Sequence, residues 1–142
     1  MQKIIVVISV LSLLMVSAAC TFSELPDYDP LDGTSWELFA YRKSKPLTNT
    51  VVTVTFKDGE IHGSSGCNTY GGLYTIEDKL ISIRELYNTE MACLEPKGVM
   101  EQETLVLEFL REAQKFHIND EQLMIFRTDS HEALTFIPIT NP

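Results

Sequence analysis

The sequence predicts a mainly β domain (α+β), in which about eight antiparallel strands form a small barrel-like meander with one helix before the last three strands. Short runs rich in β-branched and aromatic residues alternate apolar with polar side chains, which is typical of half-buried strands. One later segment, residues 99–113, lacks glycine and proline and carries its apolar residues on one helical face. Closure of the meander would protect its edge strands.

The first two strands are predicted at residues 34–41, with Trp36, Leu38 and Ala40 on one face, and at residues 50–56. Asp58-Gly59 then predicts a hairpin turn, because glycine takes positive φ at little cost. Further strands are predicted at 60–65, 72–76, 79–84, 115–118, 122–127 and 133–138. The helix is expected to cover one opening or face of the barrel with Val99, Val106, Phe109, Leu110 and Ala113.

Residues 1–19 are predicted to be an export signal. Gln2 and Lys3 precede an apolar run over residues 4–16, and small residues follow at 17–19. The run has 13 residues, whereas a membrane-spanning helix needs roughly 20. We therefore expect a cleaved signal rather than a permanent transmembrane helix.

The signal ends in Val-Ser-Ala-Ala-Cys, which resembles the lipobox of bacterial lipoproteins, although Ser17 stands where leucine is usual. The resemblance implies that Cys20 carries lipid and becomes the mature N-terminus, which would anchor the protein on a membrane of the cell envelope. If the envelope has two membranes, the resemblance to lipoproteins implies that Thr21, which is not Asp, favours the outer membrane, facing the periplasm. An ordinary secretory signal is the alternative. Residues 20–30 would be the lipidated N-terminus and tether, and residues 31–138 the domain.

The charge of the mature chain argues against some partners. Loss of Lys3 with the signal leaves 10 basic and 20 acidic residues, a net charge of −10. Nucleic acids and anionic membrane surfaces both require a basic patch, so neither is expected as a direct partner.

If Cys20 carries lipid, Cys67 and Cys93 remain to pair. An exported protein meets an oxidising compartment, in which two such cysteines tend to form a disulfide. Their separation of 26 positions corresponds to about 3.5 kcal/mol of stabilisation in the chain-entropy account. Free thiols, or a reactive or metal-binding role, stay open as alternatives. His62, His117 and His131 suggest no arrangement with the cysteines.

No pattern in the sequence predicts a catalytic site. Gly63-Ser64-Ser65-Gly66 is one residue short of the nucleophile elbow, and no phosphate-binding loop occurs. Glu101, Glu108 and Glu112 are interpreted as a solvated helix face. We therefore expect no enzyme activity, no metal site and no cofactor.

The motifs "LDGTSWEL", "GCNTYGGLY", "TEMAC" and "MEQETLVLEFLREA" resemble the META domain of HslJ-like bacterial lipoproteins, from about residue 31 to 137. The resemblance implies a small antiparallel barrel with a helix, a place in the envelope and no established catalytic activity. Gly66 and Gly72 are interpreted as sharp turns in a disulfide-stapled corner. The family motif falls on Gly33, Trp36, Gly66, Cys67, Asn68, Gly72, Tyr74, Thr89, Met91, Ala92, Cys93 and Glu101.

These observations favour a noncatalytic envelope lipoprotein that binds a protein or wall component or acts in the response to stress. A lipid-anchored inhibitor of an exported protease or lysozyme is the alternative, with residues 86–98 as the inhibitory loop. A small-ligand carrier is a further possibility, but the many bulky apolar residues suggest a filled interior.

Overall fold

The computed structural model describes residues 28–127 and 131–139, which form a closed antiparallel barrel of eight strands in sequential order. The expected fold class is confirmed. The export signal, Cys20 and most of the predicted tether lie outside the described residues. The elements are β1 Thr34–Tyr41, β2 Thr53–Lys57, β3 Glu60–Ser64, β4 Thr69–Glu77, β5 Leu80–Asn88, α1 Val99–Arg111, β6 Ala113–Ile118, β7 Leu123–Arg127 and β8 Ala133–Pro138.

Several element boundaries differ from the prediction. Strand β2 begins at Thr53, because Thr50 turns back and donates both its amide and its hydroxyl to the Leu47 carbonyl oxygen. Strands β4 and β5 are longer than predicted and pair with each other from Tyr70 and Asn88 onward. Helix α1 ends at Arg111, so Ala113 is buried as the first residue of β6 rather than as a helical residue.

A β-bulge in β1 changes the direction of one side chain. Leu38 pairs with Phe136 of β8, and Ala40 pairs with Thr135, which leaves Phe39 as the extra residue. Because neighbouring residues of a strand face opposite sides, the bulge moves Ala40 to the outer face. The prediction that Ala40 shares the inner face with Trp36 and Leu38 is therefore wrong.

The barrel interior is filled by large apolar side chains from the strands and from α1, including Val54, Phe56, Ile125 and Phe136. Strands β5 and β6 pair over a short stretch around Leu80 and Lys115, and α1 contacts β5 and β7 beside this narrow junction. The helix contributes Val106, Leu107, Phe109 and Leu110 to the core. In the part of the chain that the structure describes, no helix has the length and apolar character needed to cross a membrane.

The up-and-down strand order separates two ends of the barrel. The connections after β1, β3 and β5 meet at one end, together with the start of α1, and we call it the upper end. The chain enters at the opposite, lower end, where Gly33 donates its amide to Phe56 O at 2.9 Å. There the Tyr74 hydroxyl donates to Asp29 Oδ2 at 2.6 Å. Burial and the adjacent Asp29 carboxylate raise the pKa of Tyr74 well above its usual range.

Gly63 of β3 permits a close approach inside the sheet. The buried Tyr70 hydroxyl of β4 passes over Gly63 and donates to Thr53 O of β2 at 2.8 Å. A Cβ atom at position 63 would lie 2.0 Å from that carbonyl oxygen and 2.9 Å from the Tyr70 hydroxyl oxygen. Only glycine fits here without moving two strands apart.

We therefore expect Gly63→Ala to lower the free energy of unfolding by about 2–4 kcal/mol, since the clash is with backbone and a buried hydrogen bond. Urea denaturation measures this loss. Gly59→Ala is the matched control: Gly59 has φ of 79° but open space around it, so it should lose only about 1 kcal/mol. Equal losses for the two variants would contradict the close-approach explanation.

Candidate functional site

The structure divides the predicted motif residues between the two ends of the barrel. Seven of them meet at the upper end: Gly66, Cys67, Asn68, Thr89, Met91, Ala92 and Cys93. Gly33, Trp36 and Tyr74 lie toward the lower end, where the Trp36 Nε1–H donates to Thr34 Oγ1 at 2.8 Å. Glu101 is exposed on α1 and takes no part in either group. We call residues 65–68 and 89–93, with Glu103 of α1, the stapled corner.

Gly72 does not form the sharp turn that the sequence suggested. It lies within β4, where a Cβ atom would come 2.9 Å from Arg84 O of β5. Strand β5 bulges at this point, and Glu85 has a φ of 54°. Gly72 therefore allows the two strands to approach beside the bulge.

A disulfide joins the two sides of the stapled corner. Cys67 follows β3, Cys93 follows β5, and their sulfur atoms are bonded at 1.99 Å with the Cα atoms 5.9 Å apart. The predicted pairing is confirmed, and the alternatives of free thiols or a metal-binding pair are discarded. The bond connects two loops that the barrel already brings to the same end.

Asn68 forms a second connection between the same two loops. Its Oδ1 accepts hydrogen bonds from Met91 N at 2.8 Å and from Thr89 Oγ1 at 2.7 Å, and its Nδ2 donates to Met91 O at 3.0 Å. The side chain thus bonds both main-chain groups of Met91. Asn68 is 1% exposed, so its end of each of these bonds is shielded from water.

The carboxylate of Glu103 is the centre of the corner. Its Oε2 accepts from Asn68 N at 2.8 Å and from Ser65 Oγ at 2.5 Å, and its Oε1 accepts from Asn68 Nδ2 at 2.8 Å. Glu103 is only 4% exposed. A carboxylate this deeply buried is tolerated because hydrogen-bond donors surround it.

Neither Glu103 nor Ser65 was predicted as a site residue. The signal for Glu103 was present, because it follows Val99 by four positions and precedes Val106 by three, and so lies on the apolar face of α1. An acidic residue on a buried face indicates a polar contact inside the fold. Glu108 and Glu112 are exposed, as the interpretation of a solvated face requires.

Gln102 attaches the third loop of the upper end to α1. Its Oε1 accepts from Leu47 N at 2.7 Å, and its Nε2 donates to Thr50 Oγ1 at 3.1 Å. The same amide packs against Gly66, where a Cβ atom would lie 3.2 Å from Nε2 and where φ is 112°. Two adjacent buried polar residues of one helix thereby hold the loops that follow β1, β3 and β5.

The chemistry of the corner suits holding a loop more than reacting with a substrate. Ser65 is completely buried, and Ser64 Oγ accepts from Gly66 N at 3.2 Å. His62, His117 and His131 are exposed on β3, on β6 and just before β8. Within residues 28–127 and 131–139, no three His, Cys, Asp or Glu side chains are grouped to hold a metal ion.

We expect Glu103→Gln to lower the free energy of unfolding by about 3 kcal/mol. The variant keeps the shape of the side chain but turns an amide toward donors that now bond a carboxylate. Urea denaturation with the disulfide intact measures the loss. Glu101→Gln, on the exposed face of the same helix turn, should stay within about 0.5 kcal/mol of the native chain. A Glu103→Gln variant as stable as Glu101→Gln would show that the carboxylate does not organise the corner.

Comparison with solved structures supports the same architecture. A protein from Burkholderia xenovorans, solved by NMR, is 27% identical with a TM-score of 0.65, and the match covers 84% of this chain and 96% of that one. A second NMR structure is 23% identical with a TM-score of 0.61, covering 75% of this chain and 90% of that one. A DUF4847 family protein from Bacteroides vulgatus shares the fold at 15% identity with a TM-score of 0.60, covering 80% and 97%.

The matched fold makes up nearly the whole of the solved Burkholderia xenovorans and Bacteroides vulgatus chains. No curated protein matches the chain at a significant level. The META domain matches residues 29–140, which include Asp29 with its bond to Tyr74. The chain is thus a member of the META domain family.

Proposed function

We propose that the protein is a noncatalytic, lipid-anchored protein of the cell envelope, which binds a partner protein through the upper end of its barrel. The observation that carries this proposal is the exposed segment of residues 89–94, whose main chain is held rigidly by the stapled corner. A stress-related role fits the HslJ-like resemblance and belongs to the same proposal.

The segment is fixed at every second residue. Thr89 donates its amide to Thr69 O at 3.0 Å, Met91 is bonded on both main-chain groups by Asn68, and Cys93 is tied to Cys67. A segment already ordered in the free protein loses little conformational entropy when it binds. The buried polar groups beneath it therefore serve to present it.

The side chains presented to solvent are apolar, with acidic neighbours. Leu94 is 87% exposed and Met91 is 57% exposed, and Glu90 and Glu95 flank them. Burying the Leu94 side chain in a pocket would contribute about 2 kcal/mol. The matching partner surface is an apolar pocket rimmed by lysine or arginine.

The position of the corner agrees with an anchor at the N-terminus. The chain enters the barrel at the lower end, beside Asp29 and Gly33, and the segment of residues 89–94 is at the upper end. A lipid on Cys20 would thus join the domain at the end away from the proposed docking segment.

The binding proposal is tested by photo-crosslinking in the native host, with a benzophenone side chain at position 94. We expect a discrete adduct with one envelope protein, lost when Met91→Asp is added or when untagged native chain competes. The same probe at Leu80, 48% exposed at the lower end, is the matched control. Equal labelling from positions 94 and 80, or no competition, would refute docking through this segment.

The anchor is tested separately by growth with radioactive palmitate. We expect the native chain to carry label and to fractionate with membranes, and Cys20→Ser to lose both properties, since lipid on that thiol is the proposed attachment. Cys67→Ser is the matched control and should keep the label. Undiminished labelling of Cys20→Ser would exclude lipidation at this residue.

The exposure of residues 89–94 and the bonds that fix their main chain also favour the second candidate, an inhibitor of an exported hydrolase. Such a loop would enter a substrate cleft with its main chain preorganised. Identification of the adduct from position 94 separates the two candidates. A protease or lysozyme, inhibited by the native chain but not by Leu94→Asp, would establish the inhibitor, whereas a partner without hydrolase activity would exclude it.

A further inference from the structure

A groove on the outer face of the barrel lies apart from the stapled corner. Strand pairing places Ala40 beside Thr135, Thr135 beside Met124, and Ala133 beside Phe126, so the side chains of three strands share one face. The groove between them has a volume of about 490 Å³. Ligand pockets in proteins have volumes of about 300–1,000 Å³, so the groove is large enough for a small molecule.

The floor and wall of the groove follow from the size of these side chains. Ala40, Ala133 and Thr135 are small and leave the floor low, and the half-buried Met124 and Phe126 form an apolar wall. Ala40 reaches this face only because of the bulge at Phe39. An alkyl chain or ring of a ligand would contact these apolar side chains along the groove.

The rim of the groove is a turn in an unfavourable conformation. Arg42 and Lys43 have φ values of 45° and 66°, and Tyr41 and Ser44 close the turn with bonds of 2.9 and 2.7 Å. Positive φ at both central residues is the type I′ pattern, for which Asn-Gly is preferred. Two long basic side chains at these positions cost backbone energy, and such strain is found at functional sites.

Positive charge is concentrated at this rim. Arg42, Lys43 and Lys45 are three of the ten basic residues of the mature chain, and the first two line the groove with His131. Glu132 also lines it, and its carboxylate contacts Arg42 Nε at 3.0 Å and Arg127 at 3.2 Å. Arg127 also contacts Glu112 at 3.1 Å, so two carboxylates offset the two guanidinium groups. The excess positive charge that an anion would meet at this rim is therefore that of Lys43 and Lys45.

We propose that this groove binds an anionic amphiphile. A carboxylate or phosphate head would bind Arg42, Lys43 and His131, and a short alkyl body would lie on Ala40, Met124 and Phe126. The assignment is independent of the docking segment at residues 89–94, which involves none of these side chains.

The test uses methyl NMR of methionine on the chain from residue 21 to 142, which contains the whole described barrel. Its three methionines are Met91, Met100 and Met124, of which Met124 alone lines the groove. The probes are octanoate and octyl phosphate, with octyl glucoside as the uncharged amphiphile and acetate and inorganic phosphate as heads without a tail. All are used below the concentration at which they form micelles.

We expect the Met124 methyl signal to shift saturably with octanoate, octyl phosphate or both, while Met91 and Met100 stay in place. The anion that binds more tightly identifies the preferred head, a free carboxylate or a phosphate headgroup. Three results would overturn the proposal. They are a Met124 shift with octyl glucoside as large as with the anions, a shift with acetate or inorganic phosphate alone, and no shift at all.

The double variant Arg42→Asn with Lys43→Gly gives opposite effects on stability and binding. Because Asn-Gly suits the turn, we expect the thermal midpoint to rise while the affinity for the octyl anion falls at least tenfold. Lys43→Gln keeps a long side chain and should weaken binding by an intermediate factor, and the exposed Lys57→Gln is the matched control. Unchanged affinity in the double variant would overturn the role of the rim.

Discussion

A carboxylate removed from water must be surrounded by hydrogen-bond donors, and this requirement on Glu103 determines the upper end of the barrel. Two of its three donors belong to Asn68, whose side chain is then oriented to bond both main-chain groups of Met91. The order of residues 89–93 therefore depends on a residue of α1. The disulfide between Cys67 and Cys93 reinforces an arrangement that the polar groups already specify.

The barrel determines where these hydrogen bonds and the disulfide can form. Sequential antiparallel pairing gathers alternate connections at one end, so loops distant in sequence meet beside the start of α1. Bulges in β1 and β5 then redirect individual side chains, of which Ala40 is the clearest case. The same barrel thus forms both features. Its loops form the stapled corner, and the register of its strands forms the outer groove.

Much of the fold could be predicted from the sequence, because strand alternation and the single amphipathic helix are strong local signals. The pairing of Cys67 with Cys93 could be predicted as well, because the chain is expected to be exported to an oxidising compartment and only two cysteines remain beside Cys20. The position of Glu103 on the apolar face of α1 was readable from the sequence, but its partners were not, since Asn68 and Ser65 lie 35 and 38 positions away in the chain. The direction of Ala40 was likewise beyond prediction, because a bulge is a property of two paired strands.

Hydrogen exchange of backbone amides after reduction of the disulfide tests most directly whether Glu103 and Asn68 organise the corner. The amide of Asn68 donates to Glu103, and the amide of Met91 donates to Asn68. The amide of Leu38, bonded to Val52 O within the sheet, is the reference. We predict that Asn68 and Met91 stay as protected as Leu38 in the reduced protein. Exchange of Met91 at the rate of an unprotected amide would show that the disulfide, and not the buried carboxylate, holds the segment.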